Sequence, residues 1–344
     1  MPNRRFETME SIRERFADSF AKIKEIKREM AKVIIGQEEA VNHLLICLFA
    51  GGHPLLKSVP GLAKSLMSDT LGYVIDVPFK RIQLTPDLLP SDIDGGEFPI
   101  FGTQEFFTRK GPIFSVIVLG DEINRTPPKT QSALMQAMQE RKVTIGETTY
   151  DLDLLFTFIG TLNPIESEGT YSIAEAVLDR FMANVVLIYP SLSEEKRISV
   201  GTEDLSRVGL RKVCGSEDIL PIRDYLLTAD FINENHPVVD YVCRLIQTSR
   251  PECADYCLRN ADAKYYKNYV ELGISSRAPK TFLRALWVYS FGILGESMIL
   301  PEHVKELAKS ILRHRLILRD KATFEGLTSD HFIDWLLERV PVYA

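Results

Sequence analysis

Two dipeptides at the ends of apolar runs carry the side chains best suited to chemistry: Lys64-Ser65 and Asp121-Glu122. The first closes the segment Ser58-Val59-Pro60-Gly61-Leu62-Ala63-Lys64-Ser65, which lies between a strand-like run and a helix-like one. Helix N-terminal amides and their aligned dipoles attract anions, so a phosphate group would be held here. The pattern G-x-x-x-x-G-K-[ST] is met only at Lys64 and Ser65, because Ser58 and Ala63 occupy its glycine positions. Ala63 is tolerable if its φ is negative, whereas Ser58 is costly if that position needs a positive φ. In such a loop Lys64 reaches the β- and γ-phosphates and the Ser65 hydroxyl binds Mg2+. On this segment alone, a plain strand–turn–helix with a solvated lysine is an equal reading.

The second dipeptide follows the apolar run Val116-Ile117-Val118-Leu119-Gly120. An Asp at a strand end can hold Mg2+, usually through water, while an adjacent Glu orients and deprotonates an attacking water. Successive strand residues face opposite sides, which suits two roles. Two solvated acids would explain the pair equally well in isolation. Downstream of Lys64-Ser65, with strands and helices between, the metal-and-base reading prevails.

The surrounding periodicity indicates the elements that position these groups. It predicts a long amphipathic helix over 6–30, a turn at Gly36 and a helix over 37–50. Strands follow over 54–57, 79–84, 116–119, 155–161 and 185–188, alternating with helices over 64–72, 129–141 and 174–181. Such alternation implies an α/β fold with a largely parallel sheet covered on both faces. Beyond Tyr189-Pro190 the pattern turns helical, notably over 237–249, 280–292 and 301–312. The expected organisation is an N-terminal helix (1–30), an αβα core (31–200) and an all-helical domain (201–344), since 344 residues exceed one typical core.

Composition narrows the class. A net charge of −6 leans against a broad basic face for nucleic acid. No apolar run is long enough to span a bilayer, and the N-terminus lacks the uninterrupted apolar centre of a signal peptide, so a cytoplasmic location is expected. Cys47, Cys214, Cys243, Cys253 and Cys257 have no disulfide-framework spacing. A zinc site would need tighter pairs and a fourth ligand, the nearest histidine being His236, so reduced thiols are the better reading.

The run Asp121-Glu122-Ile123-Asn124-Arg125-Thr126-Pro127-Pro128-Lys129-Thr130-Gln131-Ser132-Ala133-Leu134 closely resembles the signature of MoxR-type AAA+ ATPases. So do Thr85-Pro86-Asp87-Leu88-Leu89-Pro90-Ser91-Asp92-Ile93 and the block from Leu162-Asn163-Pro164 to Gly169-Thr170-Tyr171. The likeness continues through Gly273-Ile274-Ser275-Ser276-Arg277-Ala278-Pro279 and Leu312-Arg313-His314-Arg315 to the ending Leu336-Leu337-Glu338-Arg339-Val340-Pro341-Val342. It implies a P-loop AAA+ core with a helical lid. Alanine at position 63 is usual in that family; Ser58, where glycine is normal, departs from it.

For individual residues the resemblance has specific implications. Lys64 and Ser65 form the phosphate-loop end, with Val59, Pro60, Gly61, Leu62, Ala63 and Leu66 shaping the pocket. Ile34, Ile35 and Gln37 resemble the adenine-contacting segment, for which core-plus-turn is a rival reading. Asp121 with Ser65 would hold Mg2+, and Glu122 would be the general base. Asn163 matches the first sensor; in isolation it is a turn residue of an Asn-Pro pair. Arg180, in Leu178-Asp179-Arg180-Phe181, is the candidate arginine finger reaching a neighbour's nucleotide, against an intrasubunit salt bridge. Arg277 matches the second sensor, carried by the helical domain, serving either its own subunit's nucleotide or a neighbour's. The segments 98–111 and 143–150 resemble working loops, with Phe106, Phe107 and Arg109 as first targets for substitution; a structural hairpin is an equal reading for 143–150.

The implied activity is Mg-ATP hydrolysis in a homo-oligomeric ring, a hexamer in this family's usual form, driving chaperone-like remodelling of client proteins. Partners with von Willebrand factor A domains are a family-level expectation. An ATP-binding scaffold with little turnover, motivated by Ser58, and a nucleic-acid motor are the rivals.

Overall fold

The computed structural model describes residues 9–100, 102, 105–164, 171–201, 208–228, 231–254 and 258–342. Runs of consecutive apolar residues become interior strands, because a parallel sheet is covered on both faces. β1 (Pro54–Lys57), β2 (Phe79–Gln83), β5 (Ile117–Asp121), β8 (Thr157–Leu162) and β9 (Ala183–Val186) form one five-stranded sheet in the order β2-β5-β8-β1-β9. Every pairing in it is parallel. Alternate residues serve the two faces: Leu55 joins Phe158 and Phe181 in one core, while Leu56 joins the other. A Cβ on Gly120 would come within 2.3 Å of the Phe158 ring, so the glycine in β5 is required by the close packing of β8.

The register aligns the strand ends. Leu55 is opposite Gly160, and Gly160 is opposite Gly120, so β1, β8 and β5 run level. Their C-terminal ends therefore deliver Ser58, Asn163 and Asp121 to the same edge. This is the edge where ligands of open α/β sheets bind.

The N-terminal helix differs from expectation. It is two helices, α1 (Met9–Arg15) and α2 (Ala17–Met30), broken at Phe16, whose φ and ψ are −111° and 16°. The break turns the Phe16 ring toward Tyr225 and Trp287, at 5.3 and 5.7 Å between centroids. Residues 6–8 of the expected helix lie outside those described, as do Cys257 and residues 165–170 of the family-like block. α2 packs against α3 (Glu38–Ala50), α4 (Lys64–Val74) and the helix Ser216–Thr228, so it belongs to the main core rather than standing apart.

Among the described residues, the C-terminal part is mainly helical, with a short antiparallel ribbon of β10 (Val270–Leu272) and β11 (Ile317–Leu318). The helix Ala278–Trp287 continues as a π-helical stretch, Val288–Leu294, in place of a continuous α-helix. Buried Arg223 joins this part to the sheet by donating to the carbonyls of Leu155 (2.8 Å) and Phe156 (2.9 Å). The expected helix over 174–181 shrinks to α7 (Glu175–Leu178). Both candidate working loops are hairpins: β3 (Gly95–Pro99) with β4 (Phe106–Lys110), directly after α5 (Pro90–Asp94), and β6 (Lys142–Ile145) with β7 (Thr148–Asp151). Phe106 and Phe107 are exposed on the first. No helix among the described residues is long and apolar enough to cross a membrane.

Trp287 is fully buried and contacts Phe16, Phe20, Tyr225 and Phe291, so it joins the N-terminal helices to the C-terminal part. Trp287→Ala should lower the unfolding free energy by about 3–5 kcal/mol. Urea denaturation checks this; a loss below about 1 kcal/mol would mean that the aromatic cluster does not hold the two parts together.

Candidate functional site

A cavity of about 780 Å³ lies at the C-terminal edge of the sheet. Its wall contains Ile34, Ile35, Gln37, Pro60, Gly61, Leu62, Ala63, Lys64, Ser65, Leu66, Asp121, Glu122 and Asn163. Of the residues expected to shape this pocket, Val59 does not line it; nor do Arg180, expected at a neighbour's nucleotide, and Arg277, expected at its own or a neighbour's. Val59 packs against the hydrophobic core instead.

The loop backbone reverses the concern raised by its two missing glycines. Ala63, not Ser58, has the left-handed conformation, with φ 57° and ψ 24°. Ser58 is not among the positive-φ residues. It is anchored by its amide to the Leu162 carbonyl at 3.1 Å, and its hydroxyl donates to the Val59 carbonyl at 2.8 Å. Gly61 has φ 85°, and a Cβ there would meet nothing within 4 Å, so the backbone angle and not crowding demands glycine. Ala63 caps α4 without a side-chain hydrogen bond, which leaves the first amides of that helix available to an anion. Lys64 Nζ lies across the loop, donating to the carbonyls of Ser58 (3.1 Å) and Leu162 (3.5 Å).

Asp121 is buried at the end of β5 and its two oxygens are separately engaged. Thr161 Oγ1 donates to Oδ1 at 2.6 Å; Arg81 Nη2 pairs with Oδ2 at 2.6 Å, and Ser65 Oγ stands 3.5 Å from that same oxygen. A hydroxyl and a carboxylate this close are the hard oxygen donors that Mg2+ takes, so these residues fit the metal. Glu122 follows in a left-handed conformation, φ 62°, which turns it out of the strand. Its direction therefore comes from a kink and not from the strand alternation expected. The amide of Glu122 donates to Thr161 Oγ1 at 2.9 Å, and its carboxylate pairs with Arg125 (3.1 Å) and accepts from Gln83 (3.3 Å). One threonine thus orients both acids. Asn163 is buried beside them, its backbone carbonyl accepting from the Asn124 side-chain amide at 3.5 Å.

Other wall residues escape sequence reasoning. Asp69 on α4 lines the cavity; burial raises its carboxyl pKa, with Arg81 opposing and Asp121 adding to the rise. Lys32 and Val33 join Ile34 and Ile35, while Pro190 and Ile198 close the far side. Gln37 fixes that side by donating to the Ile188 carbonyl at 2.8 Å. The available signal was Ile198, an apolar residue within the charged helix α8 (Leu192–Val200).

Arg180 and Arg277 are near one another elsewhere. Burial lowers the Arg180 pKa, and the charge of Arg277 lowers it further. The neighbouring Asp179 accepts from Ser275 Oγ at 3.0 Å and pairs with Arg315 (3.0 Å) and Arg277 (3.7 Å). The salt bridge considered for Arg180 is thus made by other arginines.

A five-stranded parallel sheet, a phosphate-type loop after the interior strand β1 and a helical lid define a AAA-type nucleotide-binding fold. Residues 53–183 match the ATPase family associated with various cellular activities (AAA), and residues 263–334 match the AAA lid domain. The chain is 35% identical to Chaperone MoxR1 of Mycobacterium tuberculosis over 91% of this chain and 80% of that protein. It is 25% identical to Protein MoxR of Paracoccus denitrificans, over 88% of this chain and 90% of that one. A crystal structure of a proposed ATPase from Cytophaga hutchinsonii superposes with a TM-score of 0.85 and 37% identity, covering 96% of this chain and 98% of that one. The chain belongs to the MoxR family of AAA+ ATPases.

The loop geometry gives opposite expectations for two glycine substitutions. Ala63→Gly should stabilise the protein by about 1 kcal/mol by relieving the left-handed backbone. Ser58→Gly should cost up to about 1 kcal/mol through lost hydrogen bonding and added chain entropy. Thermal unfolding of both variants checks the pair; a gain from Ser58→Gly would contradict the geometry.

Proposed function

We propose that this chain binds Mg-ATP in the 780 Å³ cavity and hydrolyses it where copies meet in a homo-oligomeric ring. The observation that carries this reading is that Arg180 and Arg277, close enough to repel one another, both lie outside the wall of the chain's own cavity. Guanidinium groups suited to phosphoryl charge are present, but they do not line the cavity in which the same chain would hold its nucleotide. Another copy can supply the missing nucleotide, as in a head-to-tail contact that closes on itself.

Within one site the roles divide. The amides of Gly61 to Ser65 and the Lys64 ammonium hold the phosphates. Glu122 takes the proton of the attacking water, and Asn163 positions that water beside the terminal phosphate. Mg2+ held by Ser65 and Asp121 would neutralise phosphate charge. Arg81 must then release Asp121 Oδ2, since both cations want one oxygen. Ile34, Ile35 and Ile198 give the base an apolar wall. The Asp179 cluster with Ser275 and Arg315 links the segment carrying Arg180 to the lid, so phosphate loss at a contact can move the lid.

That motion would act on client proteins in a chaperone-like way. A ring of six and a partner bearing a von Willebrand factor A domain rest on the family resemblance alone. The scaffold reading loses its motive, because Ser58 has no left-handed strain.

Steady-state Mg-ATP hydrolysis, measured against protein concentration, tests this. The rate per chain should rise with concentration, and Glu122→Gln should reduce it by about 10²-fold or more while nucleotide still binds. A rate per chain that is constant on dilution through the assembly transition would contradict shared sites.

A further inference from the structure

A second cavity, of about 460 Å³, lies at the opposite edge of the sheet, among residues preceding β1 and β9. Its wall carries three arginines from distant parts of the chain. Arg141 follows α6 (Pro128–Glu140), Arg180 follows α7, and Arg284 projects from the lid helix Ala278–Trp287. Among the described residues, none of the three forms an ion pair. The buried Nε atoms of Arg180 and Arg284 have no hydrogen-bond partner. The wall's carboxylate, Glu140, is exposed and accepts from Gln136 at 3.3 Å.

Neighbouring groups deepen the positive character. Arg223 sits close by and spends its Nη donors on backbone carbonyls, so its charge is not cancelled. His53 is neutral: burial, then the charge of Arg223, pushes its pKa down to about 3. The Phe158 amide donates to His53 Nδ1 at 2.9 Å, which puts the proton on Nε2 facing the Met138 carbonyl at 3.1 Å. Burial lowers the pKa of Arg284, and Arg141 lowers it further. Structural arginines of this chain show partners, as Arg315 does with Asp179 and the Phe181 carbonyl. Arg284 feels burial and the charge of Arg141, Arg141 is lowered by burial, and gathered like charges without a counter-charge cost stability.

We propose that this cavity binds a phosphate-type oxyanion, held by Arg141 and Arg284 with Arg180 as a third donor. Planar guanidinium forks match the oxygens of such a group, and the cavity exceeds its size. The anion has two possible sources: free phosphate, or the phosphate of a nucleotide seated on an adjacent copy. Only the second source rests on the ring proposed above.

The test is thermal unfolding of the full chain with sodium phosphate added at constant ionic strength. It is done in a Lys64→Ala background, so that the phosphate loop does not contribute. Phosphate at ten times its dissociation constant should raise Tm by about 2 °C. Arg284→Gln and Arg141→Gln should each lose that increment while their phosphate-free Tm stays level or rises, since a like charge is removed. A structural role would instead lower it. No increment in Lys64→Ala, or one that persists in both arginine variants, overturns the pocket. Concentrated chains with intact Lys64, given a non-hydrolysable ATP analogue and Mg2+, then separate the sources. A lost phosphate increment means that an adjacent nucleotide fills the pocket, and a retained one means a site for free phosphate. Failure of hydrolysis would leave the phosphate result in Lys64→Ala unaffected.

Discussion

The parallel pairing of β8 with β1 on one side and β5 on the other is the constraint on which the site depends. It brings the ends of three strands, far apart in the chain, to one edge. Thr161 on β8 then reaches across to Asp121 and, through the Glu122 amide, to the residue after it. The Leu162 carbonyl in turn accepts from the Ser58 amide and from Lys64. A slip of one residue in β8 would turn Thr161 to the other face and uncouple both acids from the loop. The glycines opposite one another in β5 and β8 leave room for the aromatic rings of the second core, which fixes that register.

From this edge the structure extends in two directions. Toward the nucleotide it offers an anion-ready helix end, paired oxygen donors and an apolar wall. Toward the opposite edge it gathers arginines with few counter-charges. A protein that places acids and a phosphate cradle on one side and guanidinium groups on the other is chemically complementary to a copy of itself. In the ring we propose, these faces would meet head to tail, an arrangement that closes when the rotation permits. Asp179 stands where the arginine-bearing side meets the lid, paired with Arg277 and Arg315.

Much of this is readable from the chain. Long apolar runs ending in Lys64-Ser65 or Asp121-Glu122 mark strand ends whatever the tertiary structure, and the alternation of strands with helices is legible around them. The features that stay hidden depend on contacts between distant residues. The left-handed backbone at Ala63 and the kink at Glu122 are imposed by the surrounding packing, and residue type alone points away from both. Arg81, Thr161 and Asp69 are ordinary strand and helix residues until register brings them to Asp121. The break at Phe16 has no proline or glycine to announce it; it exists because Tyr225 and Trp287 hold the ring. The arginine-lined cavity draws on three elements far apart in the chain, beyond any local pattern.

The most direct measurement is a mixing experiment with two impaired variants. Glu122→Gln chains keep Arg180, and Arg180→Ala chains keep Glu122. If sites are shared, combining equal amounts restores Mg-ATP hydrolysis at roughly a quarter of the contacts, where an intact acid meets an intact arginine. A mixture that co-assembles yet stays as inactive as its parents would contradict catalysis across the contact between copies.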